Sequence, residues 1–137
     1  MKLLLDTCTF LWIITDSPRL SDRARELFRS PEHDVFLSSA SAWEIATKHS
    51  LGRLPLPQPP EKLIPAMREH HGIDALSIDE ESVLQTTRLP GLHRDPFDRL
   101  LVCQAIVHGL ALLTPDPLIS QYAVRVIWEG KPSIGTA

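Results

Sequence analysis

Residues 2–10, KLLLDTCTF, constrain the fold of this chain more than any other stretch. Three successive leucines without polar alternation predict a strand buried on both faces, as in a parallel sheet. Asp6 follows this strand directly and should lie at its carboxyl end, where open α/β sheets bind their ligands. Asp6 is therefore either part of a functional site or the N-cap of the next helix.

Four further short apolar runs alternate with helical segments along the chain, and Ser21 and Asp79 are suited to cap two of those helices. Gly52, Gly72 and Gly109 are suited to end helices. This alternation predicts βαβ units with a parallel sheet between helices. It makes the chain an α/β protein with a central parallel sheet of about five strands, the later four at residues 35–37, 73–78, 110–113 and 124–127.

The bulk properties of the chain set limits on its class. A length of 137 residues suits one domain, spanning residues 1–137, with a loose tail expected over 129–137. The net charge of −3 argues against a generally basic nucleic-acid-binding surface but allows a local basic strip. Cys8 and Cys103 lie in apolar runs and predict buried thiols rather than a disulfide framework. No apolar run reaches the ~18 residues of a membrane span, and the N-terminus does not resemble a signal peptide. We expect a cytoplasmic protein.

Carboxylates recur near the ends of the predicted strands. Asp6 follows the first strand, Glu44 lies in the helix after the second, and Asp116 follows the fourth. Asp98 opens the long apolar helix that precedes the fourth strand. Because the carboxyl ends of parallel strands share one edge of a sheet, we expect these four side chains to converge there.

Four carboxylates in one place repel each other and raise each other's pKa, so cations are expected to occupy the cluster. Oxygen ligands without a partner cysteine or histidine favour Mg²⁺ or Mn²⁺. Two such ions about 4 Å apart would activate a water molecule and stabilise the leaving oxygen in phosphodiester hydrolysis.

Each acid also has a purely structural interpretation. Glu44 could pair on a helix surface with Lys48, four residues later, although the neighbouring Trp43 and Ile45 predict that at least one side of this helix is buried. Asp95, followed by proline, has the pattern of a helix N-cap, and Asp98 would then favour the helix dipole from the first turn. Asp116, between two prolines, could be a turn residue.

Four segments in order resemble the PIN domain, and closely the VapC-type toxins of bacterial toxin–antitoxin pairs: LLLDT at 3–7, SAWEIATK at 41–48, HRDPFDRLLVCQA at 93–105 and LLTPD at 112–116. The resemblance implies a three-layer α/β/α sandwich, a homodimer, a cognate antitoxin and metal-dependent cleavage of RNA. It assigns Asp6, Glu44, Asp98 and Asp116 as catalytic and metal-binding residues. Asp95 is an additional acid, ranked below Asp98, and Thr7 and Thr114 match supporting hydroxyl positions.

Lys48, Arg94 and Arg99 are candidates for binding the RNA backbone, because a nuclease needs some positive surface near its acids. For Arg99 we favour a salt bridge to Asp95 or Asp98 instead. His93 could face the substrate, but we favour the interpretation of a solvated loop histidine.

Two other functions remain open. A PIN-like fold without activity could act as an RNA- or protein-binding module, and metal-dependent cleavage of RNA would distinguish the two. An aspartate-nucleophile phosphatase would also place an acid such as Asp6 after a buried strand. That class needs a second aspartate two residues later, and Cys8 occupies that place.

Overall fold

The computed structural model describes residues 1–129 and the short strand at residues 133–134. The strands are β1 (Lys2–Leu5), β2 (Asp34–Ser38), β3 (Asp74–Leu76), β4 (Ala111–Leu113), β5 (Arg125–Ile127) and β6 (Ser133–Ile134). They form one sheet with the order β3-β2-β1-β4-β5-β6, in which β1 to β5 are parallel and β6 pairs antiparallel with β5. This confirms the predicted α/β fold with five parallel strands.

Helices cover both faces of the sheet, as expected of a three-layer sandwich. They are α1 (Thr7–Ile14), α2 (Asp22–Arg29), α3 (Ser39–Ser50), α4 (Pro60–His71), α5 (Glu80–Gln85) and α6 (Pro96–His108). Helices α1, α2 and α4 contribute side chains to one apolar cluster, and α6 contributes to the other. The short helix α5 packs against α6.

Strand β1 lies at the centre of the sheet, and its three leucines are completely buried. Leu3 and Leu5 belong to the cluster on one face, whereas Leu4 belongs to the cluster on the other. Successive side chains of a strand point to opposite faces, so a strand covered on both sides must be apolar at every position. This is the physical reason for the unbroken leucine run.

Helix boundaries follow the capping residues of the sequence. The Ser21 hydroxyl accepts a hydrogen bond from the Ala24 amide and starts α2, as predicted. Gly109 ends α6 with a φ of 66°, a left-handed conformation that glycine adopts without a Cβ penalty. Helix α1 begins at Thr7, directly after Asp6, whose carboxylate accepts a hydrogen bond from the Thr9 amide.

The register of the central strands brings three chain segments to one edge. Leu5 is level with Leu37 of β2 and with Leu113 of β4. The residues that follow these strands, Asp6 and Thr114 among them, therefore lie side by side at the carboxyl edge of the sheet.

Three further predictions concern the tail, membrane spans and the cysteines. The loose tail predicted for residues 129–137 lies largely outside the described residues. In the part of the chain that the structure describes, no helix combines the length and apolarity needed to cross a membrane. Cys8 and Cys103 are free thiols, as predicted, but only Cys103 is buried, whereas Cys8 is partly exposed.

Candidate active site

Asp6 both caps α1 and faces the edge of the sheet, so its two sequence interpretations are compatible. Its Oδ1 accepts from the Thr9 amide at 2.9 Å, and its Oδ2 accepts from the Thr114 hydroxyl. The side chain is nearly enclosed, with 3% of the residue exposed. Burial raises the pKa of Asp6, and the hydrogen bonds from Thr114 and Thr9 only partly oppose that effect. The thiol of Cys8 also donates to this carboxylate.

Glu44 projects from α3 into the same region and is only 4% exposed. Its Oε1 accepts from the Thr7 hydroxyl at 2.7 Å, and its Oε2 pairs with Lys48. The expected ion pair with Lys48 is therefore present, but Glu44 is a buried acid and not a solvated one. Its burial follows from β2, since the Ser38 hydroxyl caps α3 directly at the strand end and fixes the helix against the sheet.

Asp98 lies in the first turn of α6, behind an N-cap made by Asp95. Asp95 Oδ1 accepts from the amides of Phe97 (2.8 Å) and Asp98 (3.3 Å), so Asp95 acts as the helix cap that its sequence pattern predicts. Burial and the negative charges of Asp95, Glu44 and Asp6 raise the pKa of Asp98 to about 7. Asp95, Glu44 and Asp6 therefore lie near enough for their charges to act on Asp98.

Asp116 reaches the cluster through the loop after β4. The Thr114 hydroxyl, which donates to Asp6, accepts from the Asp116 amide at 3.1 Å. Asp116 Oδ1 accepts from the Leu118 amide, which is the turn interaction expected of an acid between two prolines. Its other oxygen, Oδ2, points toward α6. Asp116 is thus a turn residue that also lies beside Asp98, another candidate acid.

His93 is the residue that sequence reasoning missed. It was expected to be a solvated loop histidine, but its side chain is only 11% exposed. Its Nε2 lies 2.9 Å from Asp116 Oδ2 and 3.2 Å from Asp98 Oδ2. No helical or strand periodicity marks a residue in the irregular loop before α6. The available signal is its position two residues ahead of the capping Asp95.

The arrangement suits a divalent cation. Three possible ligand atoms, one each from His93, Asp98 and Asp116, lie within 4.8 Å of one another. Asp6 adjoins this group through the shared Thr114 hydroxyl, and Glu44 acts on Asp98 electrostatically. Carboxylate oxygens concentrated in this way match the oxygen preference of Mg²⁺ and Mn²⁺, and a cation would offset the repulsion that raises the pKa of Asp98.

The predicted basic residues differ in how available they are. Arg94 is exposed, and Lys48 is half-exposed beside Glu44. Within residues 1–129, Arg99 forms no salt bridge with Asp95 or Asp98, contrary to the interpretation we favoured. Its guanidinium donates instead to carbonyl oxygens of the loop before α6, those of Thr86, Leu89, Pro90 and His93, and to the Tyr122 hydroxyl.

The prediction that at least one side of α3 is buried is confirmed by Ile45, which is 1% exposed, whereas Trp43 is 60% exposed and lies outside that buried side. Its ring packs edge-on against Phe97, with the ring centroids 5.0 Å apart. The two residues precede Glu44 and Asp98 in the chain, and Trp43 is exposed whereas Phe97 is partly buried.

Sequence comparison relates the chain to a protein family and, over part of its length, to a ribonuclease. The model of the PIN domain family matches residues 3–125. Ribonuclease VapC16 of Mycobacterium tuberculosis (strain ATCC 25618 / H37Rv) is 36% identical to the chain over 66 residues. That alignment covers 45% of this chain and 47% of the relative, about half the length of each.

Solved structures share the fold. The crystal structure of VapBC2 from Rickettsia felis, bound to a DNA fragment from their promoter, has a TM-score of 0.63 at 16% identity and covers 85% of this chain and 89% of that one. A toxin–antitoxin complex from Klebsiella pneumoniae has a TM-score of 0.54 at 16% identity, and the match covers 83% of this chain and 86% of that one.

Proposed function

This chain belongs to the PIN-domain family, whose model matches residues 3–125, and we propose that it is a metal-dependent endoribonuclease of the VapC toxin type. It cleaves phosphodiester bonds of RNA at the carboxyl edge of the sheet. The observation that carries the proposal is the grouping of acids at this edge. The Thr114 hydroxyl joins Asp6 to Asp116, and Asp98 and Asp116 both have an oxygen within 3.2 Å of His93 Nε2. The ribonuclease name of the sequence relative supports the same reaction.

In this proposal, Asp6, Glu44, Asp98 and Asp116 hold Mg²⁺ or Mn²⁺. When bound, the metal supplies charge neutralisation and Lewis-acid activation of water for hydrolysis. The protein orients its ligands by hydrogen bonds.

Hydroxyl groups of two threonines do this orienting. Thr7 donates to Glu44 at 2.7 Å, and Thr114 donates to Asp6 while accepting from the Asp116 amide. These bonds set the orientation of Glu44 and Asp6, and a carboxylate oxygen that accepts one hydrogen bond keeps a second lone pair for a cation. Pre-oriented ligands of this kind strengthen metal binding.

The backbone of the RNA is negatively charged and needs a positive surface beside the acids. Arg94 and Lys48 are the proposed contacts, since Arg94 is exposed and Lys48 is half-exposed at the Glu44 side. Arg99 is the weakest of the three earlier candidates, because its guanidinium is engaged by loop carbonyls.

The proposed biological setting is a toxin–antitoxin pair in the cytoplasm. A cognate antitoxin covers the site, and the toxin forms a homodimer, as the family resemblance implies. The similarity to a solved structure described as a toxin–antitoxin complex supports the antitoxin as a partner.

Cleavage of a fluorescently labelled, mixed-sequence single-stranded RNA by the purified protein tests the enzyme. We expect cleavage with Mn²⁺ or Mg²⁺, none after chelation, and a loss of at least about 100-fold in rate for Asp6→Asn and Glu44→Gln. Asp22→Asn, an exposed acid on α2, is the matched control and should retain activity.

Two results would contradict the proposal. The wild-type protein could fail to cleave RNA with any divalent ion, which would favour the inactive binding module. Alternatively, Asp6→Asn could cleave as fast as the wild-type protein, which would mean that the activity does not arise at this site.

A further inference from the structure

We propose that His93 is a positioning residue whose Nε2–H donates a hydrogen bond to Asp116, lies 3.2 Å from Asp98 Oδ2, and holds both carboxylates ready for a divalent ion. The proposal rests on the function proposed above and adds a residue to that site. It assigns His93 a place behind the metal ligands and not among them.

The proton position on the imidazole follows from its hydrogen-bond partners. His93 Nδ1 lies 3.1 Å from the backbone nitrogen of Asp95. A backbone N–H can only donate, so Nδ1 must be the acceptor and the proton lies on Nε2. Nε2 is therefore a donor, and it faces Asp116 Oδ2 at 2.9 Å and Asp98 Oδ2 at 3.2 Å.

The same geometry argues against direct ligation of a metal by His93. Ligation through Nε2 requires its lone pair, so the proton would have to move to Nδ1. That proton would then oppose the Asp95 N–H across 3.1 Å, two donors facing each other without an acceptor. Asp95 therefore selects the imidazole form that donates to the carboxylates.

The loop that carries His93 is anchored on both sides of the imidazole. The His93 amide donates to the Tyr122 hydroxyl at 2.8 Å, and the His93 carbonyl accepts from Arg99 Nη1. Tyr122 is completely buried, and its hydroxyl and Arg99 both donate to the Pro90 carbonyl. A loop fixed by a buried phenol and a guanidinium gives the imidazole one orientation.

This donor has a clear physical task. Two ionised carboxylates whose oxygens both approach one point repel each other. An N–H between them lowers that repulsion and sets their spacing before a cation arrives. Hydrogen-bond donors to metal ligands commonly change metal affinity by about 10–100-fold when removed.

Manganese binding without RNA provides the test. We compare wild-type protein, His93→Phe, which keeps the ring size but has no donor, and His93→Gln, which keeps an N–H donor. His70→Phe, an exposed histidine near the end of α4, is the matched control. Calorimetric titration gives Mn²⁺ affinity, pulsed electron paramagnetic resonance reports any directly bonded nitrogen, and melting without metal checks folding.

We expect His93→Phe to weaken Mn²⁺ binding by about 10–100-fold, His93→Gln to restore most of the affinity, and His70→Phe to match the wild type. The wild-type spectrum should show no nitrogen bonded to Mn²⁺. Cleavage of RNA by the variants should follow their Mn²⁺ affinity and recover at high Mn²⁺ concentration.

Other results would overturn the inference. A directly bonded nitrogen that is lost in the variants would make His93 a ligand. If His93→Phe binds Mn²⁺ as tightly as the wild type, His93 has no positioning role. If His93→Phe does not fold, a Mn²⁺ affinity of His93→Gln below one hundredth of the wild-type value leads to the same conclusion. If the wild-type protein cleaves RNA and any of these results is found, only this inference is refuted. If the wild-type protein neither binds Mn²⁺ nor cleaves RNA, the proposed function is refuted as well.

Discussion

Replacing Asp98 with asparagine should stabilise the metal-free protein at alkaline pH. Burial and the charges of Asp95, Glu44 and Asp6 raise the pKa of Asp98 from 3.8 to about 7. Each tenfold change in proton affinity corresponds to about 1.4 kcal/mol, so the ionised side chain destabilises the fold by about 4 kcal/mol above pH 7. The asparagine loses about 0.5 kcal/mol of interaction with the helix dipole, and screening at a side chain 17% exposed reduces the gain further. We expect a net gain of about 2–3 kcal/mol.

The pH dependence has a defined sign. In the unfolded chain the carboxyl of Asp98 loses its proton near its ordinary pKa of 3.8, whereas the folded protein keeps it up to about pH 7. The folded state therefore binds more protons between these values, and this group makes stability fall as pH rises through that window. The asparagine variant lacks this titration, so its advantage should grow with pH and level off above pH 7.

Urea unfolding of chelator-treated protein at pH 5 and pH 8 measures the difference. Asp22→Asn is the matched control, because Asp22 is also in the first turn of a helix but is exposed and outside the cluster. Added Mn²⁺ should stabilise the wild-type protein more than the Asp98→Asn variant. The reasoning is refuted if the variant is less stable than wild type at pH 8 without metal, or if its advantage does not change with pH.

Three other substitutions test the supports of the site. Thr7→Val removes the hydroxyl that donates to Glu44 and should lower the free energy of unfolding by about 1–3 kcal/mol in urea, with Thr7→Ser close to wild type; equal stability would show that Glu44 does not need this donor. Tyr122→Phe removes the acceptor of the His93 amide and should lower the free energy of unfolding by about 2 kcal/mol and weaken Mn²⁺ binding. Unchanged stability and Mn²⁺ affinity would show that the loop does not depend on this hydroxyl. Gly109→Ala should cost about 1 kcal/mol through its φ of 66° alone, since no atom lies within 4 Å of the added Cβ, and a larger loss or slower RNA cleavage would contradict that view.

The secondary structure was largely predictable because its signals are local. An unbroken leucine run can only be satisfied by a strand covered on both faces, and β1 is that strand. Ser21, Asp79 and Asp95 each accept from amides in the next turn, a bond between residues two or three apart that needs no tertiary information.

For several acids the sequence left both a structural and a functional interpretation open, and the structure makes the two compatible. Asp6 could be a helix cap or a site residue, and it is placed to be both, because a carboxylate has two oxygens. One oxygen caps α1, and the other meets Thr114 from 108 residues away. Asp116 divides its oxygens in the same way between a turn and His93.

The sequence by itself therefore determined the parallel α/β sheet and the edge at which Asp6, Glu44, Asp98 and Asp116 would meet, since both follow from the apolar pattern and the chain order. Only the tertiary structure decided the environment of His93, Arg99 and the exposed Trp43. Their contacts join segments far apart in the chain, such as His93 with Asp116 across 23 residues and Arg99 with Tyr122. Such contacts depend on how irregular loops pack, and loops carry no periodic signal from which packing can be predicted.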